Sequence, residues 1–230
     1  MPAGSGSWLK SFFTILRYDM ATAVPGRIWP FLVLMLAGLL LVGSESDPLL
    51  QLLSEAFFVE ALFPLLVGLI SYRLILIDRE KQRLGFLRTR ETLSKTWGHR
   101  LTSLMVVAIP SLGIMWLGWH FMGKSSLPFA SALFSFGSSA LALISVGSTA
   151  AFLARQVPVG DLILVFWWGF CFLSYRAAYH ILGALYLFPL WYSLRIESDV
   201  AMQTHLPRWP LFAFSVTLLL LCFVLLEREE

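Results

Sequence analysis

Charge is what this chain has least of. Asp, Glu, Lys and Arg make up 13% of its 230 residues, about half of the ~25% found in soluble domains, which excludes an ordinary water-soluble fold. Cysteine is scarce as well. Cys171 and Cys222 both lie in apolar runs, so they read as small buried side chains rather than a disulfide or a thiolate metal site. No basic cluster is interleaved with aromatics that could stack on bases, which argues against nucleic acid as a partner. His-Glu-x-x-His, Gly-x-Ser-Gly and the spaced aspartates of metal-dependent membrane phosphotransferases are missing, so neither a catalytic residue nor a metal ligand is assigned. No cleavable signal precedes the first apolar run, which leaves that run as the expected targeting signal.

What the chain has instead is oil. It is 58% hydrophobic, with mean hydropathy +0.76. Measured against the ~20 apolar residues that cross a bilayer, the runs predict an all-α, multi-pass membrane protein forming one domain over 1–230. Six spans are expected, at about 28–43, 56–77, 101–122, 127–153, 161–175 and 211–226. A further apolar stretch at 177–194 contains His180, Gly183 and Pro189; it reads either as a seventh span or as short helices dipping in from one side. Basic residues decide the orientation, because cytoplasmic loops collect Lys and Arg. With both termini cytoplasmic, that face holds Lys10, Arg17, Arg27, Arg155, Arg228 and the eight basic residues of 73–100, while Lys124, Arg176, Arg195 and Arg208 fall outside. The first outer loop is acidic, with Glu45, Asp47 and Glu55. Before the first span, Trp8, Phe12, Ile15 and Leu16 recur at helical spacing with Lys10 and Arg17 off the stripe. That pattern predicts an amphipathic helix over 8–23 lying in the lipid interface, ended by Pro25-Gly26.

The segment 78–97 is the one large polar surface. Eight of the 17 Lys and Arg lie between Arg73 and Arg100. On a helix, Glu80, Leu84, Leu87 and Glu91 share one face. Arg79, Arg83 and Arg90 form one flank, and Lys81, Arg88 and Lys95 the other. A narrow carboxylate-and-leucine face between basic rails suits docking in a protein groove beneath anionic headgroups, where each basic residue contributes ~1 kcal/mol. The plainer reading is a loop whose charges only fix topology, but the segment is longer than a topology signal needs.

This layout resembles the membrane subunit of type-2 ATP-binding-cassette exporters. That family has an interfacial N-terminal helix, six spans, a cytoplasmic coupling helix between spans two and three, and short re-entrant helices on the outer side before span six. Its coupling segment opens with an acidic-basic-acidic cluster, matched here by Asp78-Arg79-Glu80-Lys81. Leu84 and Leu87 match its leucines, Thr89 falls near its turn, and Gly98-His99 stands where Gly-Lys is usual. Gln82-Arg83 replaces Gly-Thr, and Arg90 replaces the turn proline. The resemblance implies a permease of the bacterial cytoplasmic membrane, with 176–208 as the outer re-entrant region. It also implies that Asp78, Glu80, Arg83, Leu84 and Leu87 meet separate nucleotide-binding ATPase subunits, which hold ATP and Mg while this chain holds no cofactor. A second copy or a sister permease would complete the transporter, surrounded by membrane lipids.

Polar residues inside the spans are candidates for the translocation path. Glu60 precedes Pro64 by one turn, and an intramembrane carboxylate costs about 2.5–3.5 kcal/mol unless it faces a cavity or a partner. It therefore either lines the path, where it could take a cationic group, or snorkels to water. The fourth span is rich in small residues, from Ser135 to Ala151, which predicts a central helix; its serines, Ser138 among them, could form a polar lane. Arg176 and His180 could face the cavity mouth from a re-entrant helix, or belong to an anchor belt with the neighbouring tyrosines. His120 reads as interfacial.

Three other function classes remain open at this point. An ion-coupled secondary transporter would use Glu60 but would need inverted repeats, and none is visible. An intramembrane enzyme would need a serine paired with a histidine, and a membrane scaffold would need neither. Gly118 to Ser125 does fit the Gly-x4-Gly-Lys-Ser pattern of a phosphate-binding loop. A genuine one follows a strand and opens a helix, whereas this one ends an apolar run, so the match is read as chance.

Overall fold

The computed structural model describes residues 25–74, 76, 93–196 and 208–228, and among these no strand occurs. The helices are α1 (Pro25–Ser44), α2 (Pro48–Ser71), α3 (Leu93–Phe121), α4 (Phe129–Ala154), α5 (Val157–Leu173), α6 (Tyr175–Leu182), α7 (Pro189–Ile196) and α8 (Trp209–Glu227). The chain is all-helical. Among the described residues α2, α3, α4 and α8 are each long and apolar enough to cross a membrane. α5 passes only together with α6, from which it is bent by 111°. Trp29–Ser44 in α1 is a shorter apolar helix. Large apolar side chains such as Leu36, Leu40, Leu162, Phe166 and Leu220 point outward. Outward oil on long helices suits a membrane-embedded protein. The expected helix at 8–23 and the residues Asp78, Glu80, Arg83, Leu84 and Leu87 lie outside the described residues.

Helix boundaries depart from the hydropathy reading in ways that local chemistry explains. α2 starts at Pro48 rather than near 56. Asp47 caps it by accepting from Leu49 N at 2.9 Å, and proline at the first turn has no N–H to leave unpaired. Gln51, Ser54 and Glu55 look like loop residues to a hydropathy window. Here Gln51 and Glu55 are buried, because the turn after α3 comes down on them: Ser126 N donates to Glu55 at 2.9 Å, and Gln51 donates to the Lys124 carbonyl. α3 starts at Leu93 rather than 101, so the end of the charged segment belongs to a long helix. Leu93 and Trp97 are fully buried.

α4 is the helix around which the others gather; α2, α5 and α8 all pack on it. Its small residues are the reason. A Cβ added at Gly147 would lie 2.6 Å from a Leu164 methyl and 2.9 Å from the Tyr72 ring. A Cβ at Gly160 would lie 2.7 Å from Ala151 Cβ and 3.0 Å from the Gly147 carbonyl oxygen. In lipid, where apolar burial does not drive helices together, such close backbone approach is what holds them. Gly160→Val is therefore expected to force α4 and α5 apart at a cost of about 1–3 kcal/mol. Lowered thermal stability of the purified protein would register this, and an unchanged midpoint would contradict the packing argument.

The loop after α3 settles the phosphate-loop match. Residues Gly118 to Phe121 end a helix instead of opening one. Gly123 takes a left-handed φ of 67°, and Lys124 N donates back to the Trp119 carbonyl at 2.8 Å. That is a helix C-terminal cap. The Lys124 ammonium donates to the Glu45 carbonyl at 2.6 Å and so ties the α1–α2 turn to the α3–α4 turn.

Candidate functional site

Glu60 lies where α2 changes pitch. Pro64 has no N–H for the Glu60 carbonyl four residues back, and its ring crowds that oxygen. The helix relaxes into a π turn over Phe57–Leu62, in which Phe63 N bonds to the Phe58 carbonyl. Such wide turns are frequent at functional sites. The Glu60 side chain, fully buried, points to the Trp209 end of α8.

Its partner is Arg208. The Nη2 atom donates to Glu60 Oε1 at 2.9 Å, with side-chain exposures of 6% and 0%, so the pair is out of reach of bulk water. The remaining donors and acceptors are used as a buried ion pair requires. Leu190 N donates to Glu60 Oε1 at 3.3 Å and Trp191 N to Oε2 at 3.0 Å. The carboxylate thus lies at the N-terminus of α7, where free N–H groups and the helix dipole favour negative charge. Arg208 Nη1 donates to Ser139 Oγ at 3.1 Å and also to Ser138 Oγ, while Nη2 reaches the Leu187 carbonyl at 3.2 Å. Ser139 donates to that same carbonyl at 2.8 Å. Burial pulls the guanidinium pKa down and Glu60 pushes it back up.

Two charges therefore join α2, α4, the 183–189 turn, α7 and the start of α8. Aromatic rings close over the assembly: Trp168 and Phe172 stack at 5.3 Å, and Phe57 and Trp191 lie 5.8 Å apart. Beside it opens a cavity of about 280 Å³, whose lining includes Tyr179, His180, Tyr186 and Arg208. His180 is among the exposed residues at this cavity, and Arg176 is exposed on the same helix, α6. Of the path candidates, Glu60 and Ser138 come together through Arg208. His180 lines the same cavity as Arg208, and Arg176 is not among the residues that line it.

α6 and α7 each have 8 residues, about 12 Å of helix, too short to cross a bilayer of ~30 Å. The stretch 177–194 is thus two short helices rather than a seventh span. His120 stacks on Trp116 at 5.2 Å and faces outward at the end of α3.

A second cluster forms at the other end of α2, where the charged segment leaves and returns. Trp97 Nε1 donates to the Ser71 carbonyl at 3.1 Å, and Arg100 donates to the Leu74 carbonyl. Tyr72 donates to Asp161, and Arg73 pairs with Asp161 at 2.6 Å. Three helices, α2, α3 and α5, are joined within one turn of the segment's two ends. The Arg73 pair is partly exposed, at 40% and 30%, so its own contribution is small; the buried Trp97 is the stronger tie.

Arg208 is the residue that sequence reasoning missed, since it was counted as an outer-loop charge. The available signal was Glu60 itself, because a carboxylate inside a span calls for a cation. Nine arginines and lysines lie outside the charged segment, and only the fold selects the one 148 positions away. No family model, no curated protein and no solved structure matches this chain.

Proposed function

We propose that the chain is the permease subunit of an ATP-driven exporter of the bacterial cytoplasmic membrane. In this reading it has six spans, both termini are cytoplasmic, and ATP is hydrolysed by separate nucleotide-binding subunits. The observation that carries the reading is the joint at the base of the charged segment. Trp97 on Ser71 and Arg100 on Leu74 clamp the segment's two ends to each other, and Tyr72 and Arg73 tie that clamp to α5 through Asp161. A force applied to residues 78–92 would pass into three helices as a body, which is what a coupling element requires. The broken helices α6 and α7 before α8 add support, since the exporter resemblance calls for short outer helices at that place.

The competing ion-coupled reading needs Glu60 free to take up and release a proton or cation. Its carboxylate is instead held by Arg208 and two backbone amides. The intramembrane-enzyme reading needs a hydroxyl activated by a base, whereas Ser138 and Ser139 are engaged by a guanidinium.

The test is extraction of the full chain in mild detergent from its host, identification of co-purifying subunits and an ATPase assay. A phosphate-loop ATPase is expected to co-purify. Changing Leu84→Asp and Leu87→Asp together is expected to abolish its recovery, or its stimulation, while the thermal midpoint of the permease stays unchanged. A chain that comes down alone overturns the proposal.

A further inference from the structure

Helix α2 is continuous along the chain but divided in its packing. In its first half, Leu53 and Ala56 are buried with Leu194 of α7 in a small apolar cluster, against which Leu52, Leu190 and Trp191 pack. From Phe58 onward its buried side chains belong to the main core. Among the described residues the two clusters divide between Ala56 and Phe58, where the π turn begins.

The two halves are also seated differently. A Cβ added at Gly68 would lie 2.9 Å from Leu143 Cβ and 2.9 Å from a Leu164 methyl, and Ser71 Oγ lies 3.3 Å from Ser148 Oγ. The second half is therefore locked to α4 and α5. The first half is bonded to the turn after α3, through Gln51 and Glu55, and packed on α7. Both of those partners have breaks of their own. Gly123 in the turn takes a left-handed φ, and α7 opens at Pro189, directly after Phe188, which is buried in the main core.

Sharp bends in helices concentrate at prolines and π turns, and α2 has both within one turn. Where the halves meet, Phe57, Phe172 and Trp191 touch pairwise at 5.1, 5.8 and 5.3 Å with tilted rings. Ring contacts of this kind are not directional and allow sliding. Glu60 is the directional contact. It lies in the π turn and accepts from Leu190 N and Trp191 N of α7 on one side. On the other it accepts from Arg208, which is itself bonded to Ser138 and Ser139 of α4.

We infer that Pro48–Ala56 and α7 form a movable arm that pivots on the π turn of α2, with Glu60 as the latch that fastens it to Arg208 and α4. A tilt of the arm carries the α3–α4 turn with it through Gln51 and Glu55, and the α1–α2 turn through Lys124 on the Glu45 carbonyl. The Trp97 joint stays with the core, because its acceptor Ser71 lies on the locked half. In the permease reading the arm would gate the end of the bundle away from the charged segment; the arm itself does not rest on that reading.

The test is distance measurement by double electron–electron resonance on the full chain in nanodiscs. Leu50 on the arm, Leu162 on α5 and Leu220 on α8 are 48%, 71% and 62% exposed, and changing them pairwise to Cys for nitroxide labelling leaves the core untouched. The two native cysteines are buried. Pairs 50–162 and 50–220 cross the pivot, whereas 162–220 lies within the core. Glu60→Gln with Arg208→Gln replaces charge-assisted hydrogen bonds by neutral ones. It is expected to raise a second population about tenfold in both crossing pairs and to leave 162–220 unchanged. Glu60→Gln alone serves if the double variant does not purify folded. Pro64→Ala added to either gives the helix back an N–H at the pivot and is expected to suppress the second population. Crossing distances that match wild type overturn the arm, and so does equal broadening of all three pairs, which would be a general loosening. A second population that Pro64→Ala leaves intact overturns the π turn as its pivot. Co-purification of an ATPase alongside any of those results would remove this inference and leave the permease reading standing.

Discussion

Arg208→Ala is expected to destabilise the folded chain by about 3–5 kcal/mol, the loss that follows when one member of a buried ion pair is removed. The size comes from what is left behind. Glu60, fully buried, would keep its two amide bonds but lose its counter-charge, Ser138 would lose its donor, and the Leu187 carbonyl would keep only Ser139. Arg208→Lys is expected to fall between wild type and the alanine variant, because a single ammonium cannot span Glu60, both serines and a carbonyl as the planar fork does. The informative variant is the double one. Glu60→Gln with Arg208→Gln removes both charges and keeps groups that can hydrogen bond, so it should recover most of the loss. Denaturant titration in detergent, followed by tryptophan fluorescence, reads all four proteins. A double variant no more stable than Arg208→Ala would mean that the charges are not paired as described.

Trp97→Ala is expected to be comparably damaging, by about 3–5 kcal/mol. Trp97 is fully buried and packs edge-on against Phe152 at 5.4 Å and tilted against Phe223 at 5.1 Å. Its indole N–H is also the donor to the Ser71 carbonyl. Alanine would leave a cavity among α3, α4 and α8 and remove a tie between α2 and α3. Trp97→Phe keeps most of the ring contact and loses the hydrogen bond, so about 1 kcal/mol is expected. The pair of variants separates packing from transmission. If the joint carries motion from an ATPase into the spans, Trp97→Phe should retain a folded permease whose partner ATPase is less responsive to it. A response equal to wild type would remove Trp97 from the transmission path and leave it a packing residue.

The legible part of the site follows from local rules. Glu60 stands out because it is a carboxylate in an apolar run, and Pro64 one turn later announces a break in the helix. The central position of α4 could be read from its glycines, alanines and serines. The early start of α2 was also legible, as Asp47-Pro48 is a helix-opening signal. It was overlooked because Gln51 and Glu55 lower the hydropathy of that turn. The function of those two side chains, gripping the turn after α3, has no trace in the sequence around them.

What the sequence by itself determined is the class of protein: apolar runs too long for a soluble core, charge collected into one segment, and an intramembrane carboxylate that needs a partner. Each of these is a property of neighbouring residues, and lipid makes it decisive because unpaired polar groups find no water there. Only the tertiary structure decided which arginine answers Glu60, that the carboxylate faces the N-terminus of α7 rather than an open path, and that Trp97 locks the base of the charged segment. Those choices depend on helices far apart in the chain meeting at particular heights. Close packing sets that register, through contacts such as Gly160 on Ala151 and Gly147 on Tyr72, which no local pattern of charge or hydropathy encodes.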